Sequence, residues 1–164
     1  MNNKTFTLTS TSLGGQISQK QAFDWFGWNG ENISPALKWE NIPEGTKSFA
    51  ITVYDKDAPT DSGWWHWICI DLPMITSELW ENFGNCSIDL MPKWTIQTRN
   101  DYWDYGYGWP CPPEWHWPHQ YIFTVHALKV EKLWANKNSS AALISYLINS
   151  QTIEKTSLIS YFER

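Results

Sequence analysis

Arginine is scarce: the 164 residues contain two, Arg99 and Arg164. With a net charge of −5 and a pI near 5.3, the chain has no cation cluster able to neutralise a run of phosphates, which excludes nucleic-acid binding as a class. Nor is there a basic patch of the kind that draws proteins to anionic membranes. Long apolar runs are missing too. Charge-free stretches such as Ser139–Ile153 and Trp115–Leu128 are too short and too polar to span a bilayer. The opening Met1-Asn2-Asn3-Lys4-Thr5-Phe6 lacks the apolar core of a secretion signal. These absences predict a soluble cytoplasmic protein with no stable membrane insertion. Cysteine is sparse and odd in number. Cys69, Cys86 and Cys111 form no Cys-x-x-Cys pair and fit a reducing compartment better than a disulfide framework. The local signatures of common enzymes are absent as well: no Gly-x-Ser-x-Gly, no His-Glu-x-x-His, no phosphate-cradling glycine loop.

Tryptophan is what the chain has in excess. Thirteen Trp and seven Tyr bring the aromatic content to 16%, which predicts a core that is aromatic and partly polar, since indole N–H and phenol O–H groups need partners. The length suits a single domain over residues 1–164. Ser48–Asp55, Trp64–Asp71 and His119–Val130 each combine β-branched and aromatic residues between turn clusters, the pattern of strands. Phe6–Leu13 alternates weakly, and Thr152–Tyr161 reads as a terminal strand. Pro73–Pro92 and Asn100–Pro118 are dense in Gly, Pro, Asn and Asp and read as loops. One helix is predicted, capped by Asn138 or Ser139, with Ala141, Ile144, Ile148, Leu143 and Leu147 at helical spacing up to Asn149. Short strands, long loops and one late helix imply a β-sandwich with a peripheral helix.

In the Trp64–Asp71 strand, the period of two puts Trp65 and Trp67 on one face and His66 with Ile68 on the other. By the same period His119 and Tyr121 share a face. Two imidazoles and a phenol that converge, with Asp55 fixing an imidazole tautomer, would bind a phosphate-like anion. The plainer reading of Asp55–Pro59 is an Asx turn closing a strand. A calcium loop is rejected there, because Thr60 replaces the required Gly and His66 the required Glu. Zinc competes through Cys111, His116, His119 and His66, but Cys-x4-His-x2-His is not a usual structural spacing, and no metal or other cofactor is expected. A hydrolase with His66 or His119 as general base is the enzymatic alternative. Its one nearby nucleophile, Cys111, sits among prolines and Trp rather than beside cations, so a non-enzyme is expected.

Taken in order, Asn29-Gly30-Glu31-Asn32-Ile33-Ser34-Pro35-Ala36-Leu37-Lys38-Trp39, Asp55-Lys56-Asp57-Ala58-Pro59, Gly63-Trp64-Trp65-His66-Trp67, Pro110-Cys111-Pro112-Pro113 and His119-Gln120-Tyr121 resemble the phosphatidylethanolamine-binding protein family in its bacterial Raf-kinase-inhibitor-like branch. The resemblance runs from about Phe6 to the C-terminus. It implies an antiparallel Greek-key β-sandwich with a peripheral C-terminal helix and a pocket for phosphate-like anions. Its associations are phospholipid headgroups and the regulation of a kinase or phosphoprotein; a homodimer is left open. Carried across position by position, the pocket falls on Asp55, His66, Pro112, Pro113, His119 and Tyr121. Departures from the family pattern are Lys56 for Pro, Gln120 for Arg and Trp109 for the Gly of the bacterial branch. Trp109, Trp115 and Trp117 are expected to alter the pocket mouth.

Overall fold

The computed structural model describes residues 4–21, 30–88 and 90–164; Asn29 of the first motif and the opening Met1-Asn2-Asn3 lie outside them. Two antiparallel sheets face each other. The smaller joins β1 (Thr7–Thr9), β2 (Leu37–Glu40) and β5 (Glu78–Leu79) in the order β1-β2-β5. The larger has the order β6-β4-β3-β7-β8, with β3 at Ser48–Asp55, β4 at Trp64–Pro73, β6 at Ile96–Gln97, β7 at His119–Leu128 and β8 at Thr152–Phe162. The single α-helix among the described residues, α1 (Ala141–Gln151), enters between β7 and β8 and covers the outer face of the larger sheet.

The three strong strand patterns form adjacent central strands because their residues are apolar on both faces. Facing inward, Phe49, Ile51, Val53, Trp67, Phe123 and Val125 meet Leu8, Leu37 and Trp39 of the smaller sheet. Facing outward, Ala50, Ile68, Ile70 and Leu128 meet Ile144 and Ile148 of α1 and Leu133. Full burial of an aliphatic side chain of this size contributes about 1.5–3 kcal/mol, and both faces of the central strands add to it.

Several boundaries differ from the sequence reading. The helix cap is Ser140, whose hydroxyl accepts from Leu143 N at 3.2 Å. Ser139 instead accepts from Asn136 N at 3.0 Å and closes the preceding turn. The short strands β2, β5 and β6 are not singled out by the sequence: β2 alternates as Leu-Lys-Trp-Glu but over four residues only, β5 and β6 have two residues each, and β5 lies inside the stretch read as the loop Pro73–Pro92. They exist because neighbouring strands offer unpaired backbone, as where Leu37 pairs with Leu79 and Cys69 with Gln97.

The face assignment along β4 is corrected outright. Thr52 pairs with Ile68 and Val53 with Trp67, but Tyr54 pairs with Trp65, so His66 is an extra residue in the ladder. A bulge of this kind places consecutive side chains on the same side and resets the alternation beyond it. Trp67 therefore enters the core between the sheets, whereas Trp65 packs with Ile68 and Ile70 on the helix side. The predicted pairing of Trp65 with Trp67 fails because strict period-two counting does not survive a bulge.

Candidate functional site

At one end of the sandwich β3 finishes at Asp55 and β7 begins at His119. Asp55 lies directly opposite Tyr121 in the register between these strands. Asp55 Oδ1 accepts from Asp57 N at 2.8 Å, closing the Asx turn. Its Oδ2 accepts from His119 Nδ1 at 2.7 Å. The turn reading and the pocket reading of Asp55 thus describe one structure: the turn satisfies one carboxylate oxygen and aims the other at the imidazole. Asp57 extends the same arrangement, accepting from Gln120 N at 2.9 Å and tying the turn to the start of β7.

His66 reaches this group because the bulge turns it toward the end of the inner face. Its Nδ1 lies 2.8 Å from Gly108 O. A carbonyl only accepts, so Nδ1 carries the proton. The strand backbone returns the contact, Gly108 N donating to His66 O at 2.8 Å. Gly108 has no room for a side chain, since a Cβ there would come within 2.7 Å of Asn100 Nδ2 and 2.8 Å of the Tyr102 ring. His66 Nε2 is buried, lacks a hydrogen-bond partner and stands 4.0 Å from Asp55 Oδ2. Burial pulls the His66 pKa down to about 4, outweighing the opposing pull of the Asp55 carboxylate.

A cavity of about 440 Å³ opens over these groups, lined by Asp55, Ala58, Pro59, Thr60, Trp64, His66, Tyr102, Cys111, Pro112, Pro113, His119 and Arg164. Of the six residues expected at the site, five stand on its wall. Tyr121 stands behind them, fully buried, with its ring centroid 5.2 Å from that of His66 and 6.4 Å from that of His119. Burial first, and then the nearby Asp55 carboxylate, push the Tyr121 phenol far above its ordinary pKa.

Sequence reasoning missed Arg164, Tyr102, Trp64 and the Gly108 carbonyl. Arg164 brings a guanidinium to the cavity, donating to Cys111 Sγ at 3.5 Å and to Glu114 Oε1 at 3.3 Å. Tyr102 donates to Trp109 O at 2.9 Å, and Trp64 packs edge-on to Tyr102 while its indole N–H has no partner. Only the scarcity of arginine could have singled out Arg164. Burial raises the Cys111 thiol pKa more than the Arg164 charge lowers it, so the thiol is a poor nucleophile at neutral pH.

His116 joins the group on its solvent side. Its Nδ1 lies 3.0 Å from His119 Nε2, and its ring stacks on Trp117 at 5.0 Å. One imidazole must donate to the other, which extends the Asp55–His119 pair to the half-buried loop. Among the described residues no group of three or more His, Cys, Asp or Glu could hold a metal ion. The candidate zinc ligands are turned elsewhere: Cys111 to Arg164, His116 and His119 to each other, His66 to Gly108. The expectation for Trp109 also changes. It is fully buried in the inter-sheet core against Tyr107 and Phe123 and plays no part in the cavity mouth, whereas Trp115 and Trp117 are exposed.

The model of the phosphatidylethanolamine-binding protein family matches residues 7–163. The chain belongs to that family. Two Escherichia coli relatives of the family's UPF0098 group are YbcL, 42% identical over 96% of this chain and 87% of its own, and YbhB, 40% identical over 91% and 93%. The crystal structure of E. coli YbcL, described as a new member of the mammalian PEBP family, superposes with a TM-score of 0.94 over 97% of this chain and 98% of its own, at 42% identity. A putative phosphatidylethanolamine-binding homologue from Chlamydia trachomatis gives 0.79 at 27% identity, covering 97% of each chain. The sandwich inferred from motif order is thus the family's fold. No helix among the described residues is long and apolar enough to cross a membrane.

Proposed function

We propose that this family member is a non-catalytic binding protein whose cavity takes a phosphate-like anion, the phosphoryl group of a lipid headgroup or of a phosphorylated partner. One observation carries the reading: beside the Arg164 guanidinium, two residues of the cavity wall keep buried polar atoms without partners, His66 Nε2 and Trp64 Nε1. A buried polar group left unpaired costs about 1–3 kcal/mol, and two on one cavity wall favour a ligand that completes them. The Asp55 charge does not bar an anion, since both its oxygens are engaged by N–H donors.

Catalysis is disfavoured because burial keeps the one thiol on the wall protonated and the Thr60 hydroxyl there donates to Gly63 O at 2.6 Å, not to an imidazole. Exposed Trp115 and Trp117 beside His116 would offer a phosphorylated protein an aromatic rim; through such a partner the site would regulate a kinase or phosphoprotein. The three free thiols suit a reducing, cytoplasmic setting.

The test is a phosphate titration followed through the imidazole NMR signals, repeated on His66→Ala, His119→Ala and the peripheral Arg164→Gln. Saturable shifts in the parent, lost in the two histidine variants and weakened about tenfold or more in Arg164→Gln, are expected. Unchanged affinity in all three would overturn the reading.

A further inference from the structure

The cavity presents His66 to a ligand as an acceptor. The Gly108 carbonyl holds the proton on Nδ1, which leaves Nε2 of the neutral ring as a bare lone pair. That nitrogen is buried and has no partner. Its neighbour across 4.0 Å, Asp55 Oδ2, is another acceptor already committed to His119. The groups facing the ring come from several elements: Asp55 from β3, His119 and Tyr121 from β7, Tyr102 from the loop before it, and Arg164 with Cys111 across the cavity. Tyr102 and Tyr121 are pushed up by burial and stay neutral. The fixed charges are the Asp55 carboxylate, itself an acceptor, and the Arg164 guanidinium, which donates to Cys111 Sγ and Glu114 Oε1.

Resting on the anion reading above, we propose that the cavity selects phosphoryl groups that retain a P–OH, donated to His66 Nε2, and so prefers a phosphomonoester or inorganic phosphate to a phosphodiester or sulfate. The remaining phosphoryl oxygens accept from Arg164 and from the unpartnered Trp64 indole N–H, both on the cavity wall. A phosphomonoester has its second ionisation near pH 6 and keeps a P–OH over a useful fraction of molecules at that pH. Phosphodiesters and sulfate have none to give near neutrality. To bind them, His66 must itself take up a proton, and burial opposes that strongly. An intact phosphatidylethanolamine is a phosphodiester, so its free monoester headgroup is favoured over the lipid.

Calorimetric titration at pH 6 with inorganic phosphate, phosphoethanolamine, sulfate and glycerophosphoethanolamine tests the proposal. Phosphate and phosphoethanolamine are expected to bind at least tenfold more tightly than sulfate and the diester. Nitrogen NMR of the phosphate complex is expected to show a neutral His66 ring. Sulfate binding as tightly as phosphate would overturn the selectivity and leave the anion pocket standing, and diester rejection alongside sulfate acceptance would make the exclusion steric. An imidazolium at His66 in the phosphate complex would overturn it as well. If none of the four ligands binds, the anion reading itself falls, and this inference with it.

Discussion

Two buried histidines on the larger sheet invite comparison. His66 in β4 and His126 in β7 are both held neutral by burial, with pKa values lowered to about 4. By titration behaviour they are twins. Their surroundings separate them. His126 lies on the outer face, its Nε2 and Nδ1 each 3.4 Å from a threonine hydroxyl, of Thr52 and of Thr152, the latter also donating to Ile148 O at 2.7 Å. His66 has one nitrogen fixed by a rigid backbone carbonyl and the other bare beside a carboxylate at a cavity wall. A depressed histidine pKa is therefore no mark of function by itself. What marks a site is an unsatisfied, immobile polar atom facing space that a ligand can enter.

The largest effect treats the two alike. A histidine whose folded pKa is lowered binds fewer protons folded than unfolded, so stability is present above about pH 6.5 and is lost as pH falls toward about 4. The full loss is about 3 kcal/mol per histidine. Urea unfolding across pH 7 to 4 should show this decline, and His66→Gln or His126→Gln should each make it shallower than in the parent. A slope indifferent to both variants would show that neither ring is neutral in the folded state.

Phosphate binding should then pull the twins apart. His66→Ala is expected to weaken phosphate binding by about a hundredfold, the loss of about 2–3 kcal/mol typical of a hydrogen bond to a charged group. His126→Ala should leave the affinity within about twofold in the same titration. An equal loss in both would dissolve the distinction drawn between the two faces.

The smallest effect probes whether the helix face communicates with the cavity. Ser140→Ala removes the cap of α1 and should cost about 1 kcal/mol, read as a fall of roughly 2–4 °C in Tm. Because α1 packs on the opposite face of the sheet from Asp55 and His119, phosphate affinity should not move.

Much of this was legible in the residues. Ser48–Asp55 is a strand with the bounds that its composition suggests, and the two other strong strand patterns begin where predicted, at Trp64 and His119. Asp55 and His119 meet because each ends or begins one of two adjacent antiparallel strands. The short strands were not legible, since two residues hold no period and the single alternation of Leu37–Glu40 is too brief to stand out. Arg164 was not legible either, because nothing local relates it to Cys111, 53 residues earlier.

The sequence by itself determined the aromatic sandwich, the order of its strong strands and the residue types at its end, because those follow from composition, local periodicity and motif order. Tertiary structure alone decided how His66 is used. The bulge that turns it inward exists only in the pairing of β4 with β3, and the proton on its Nδ1 is placed by a carbonyl 42 residues away. Register and tautomer are properties of paired chains and hydrogen bonds, and no single strand's sequence contains them.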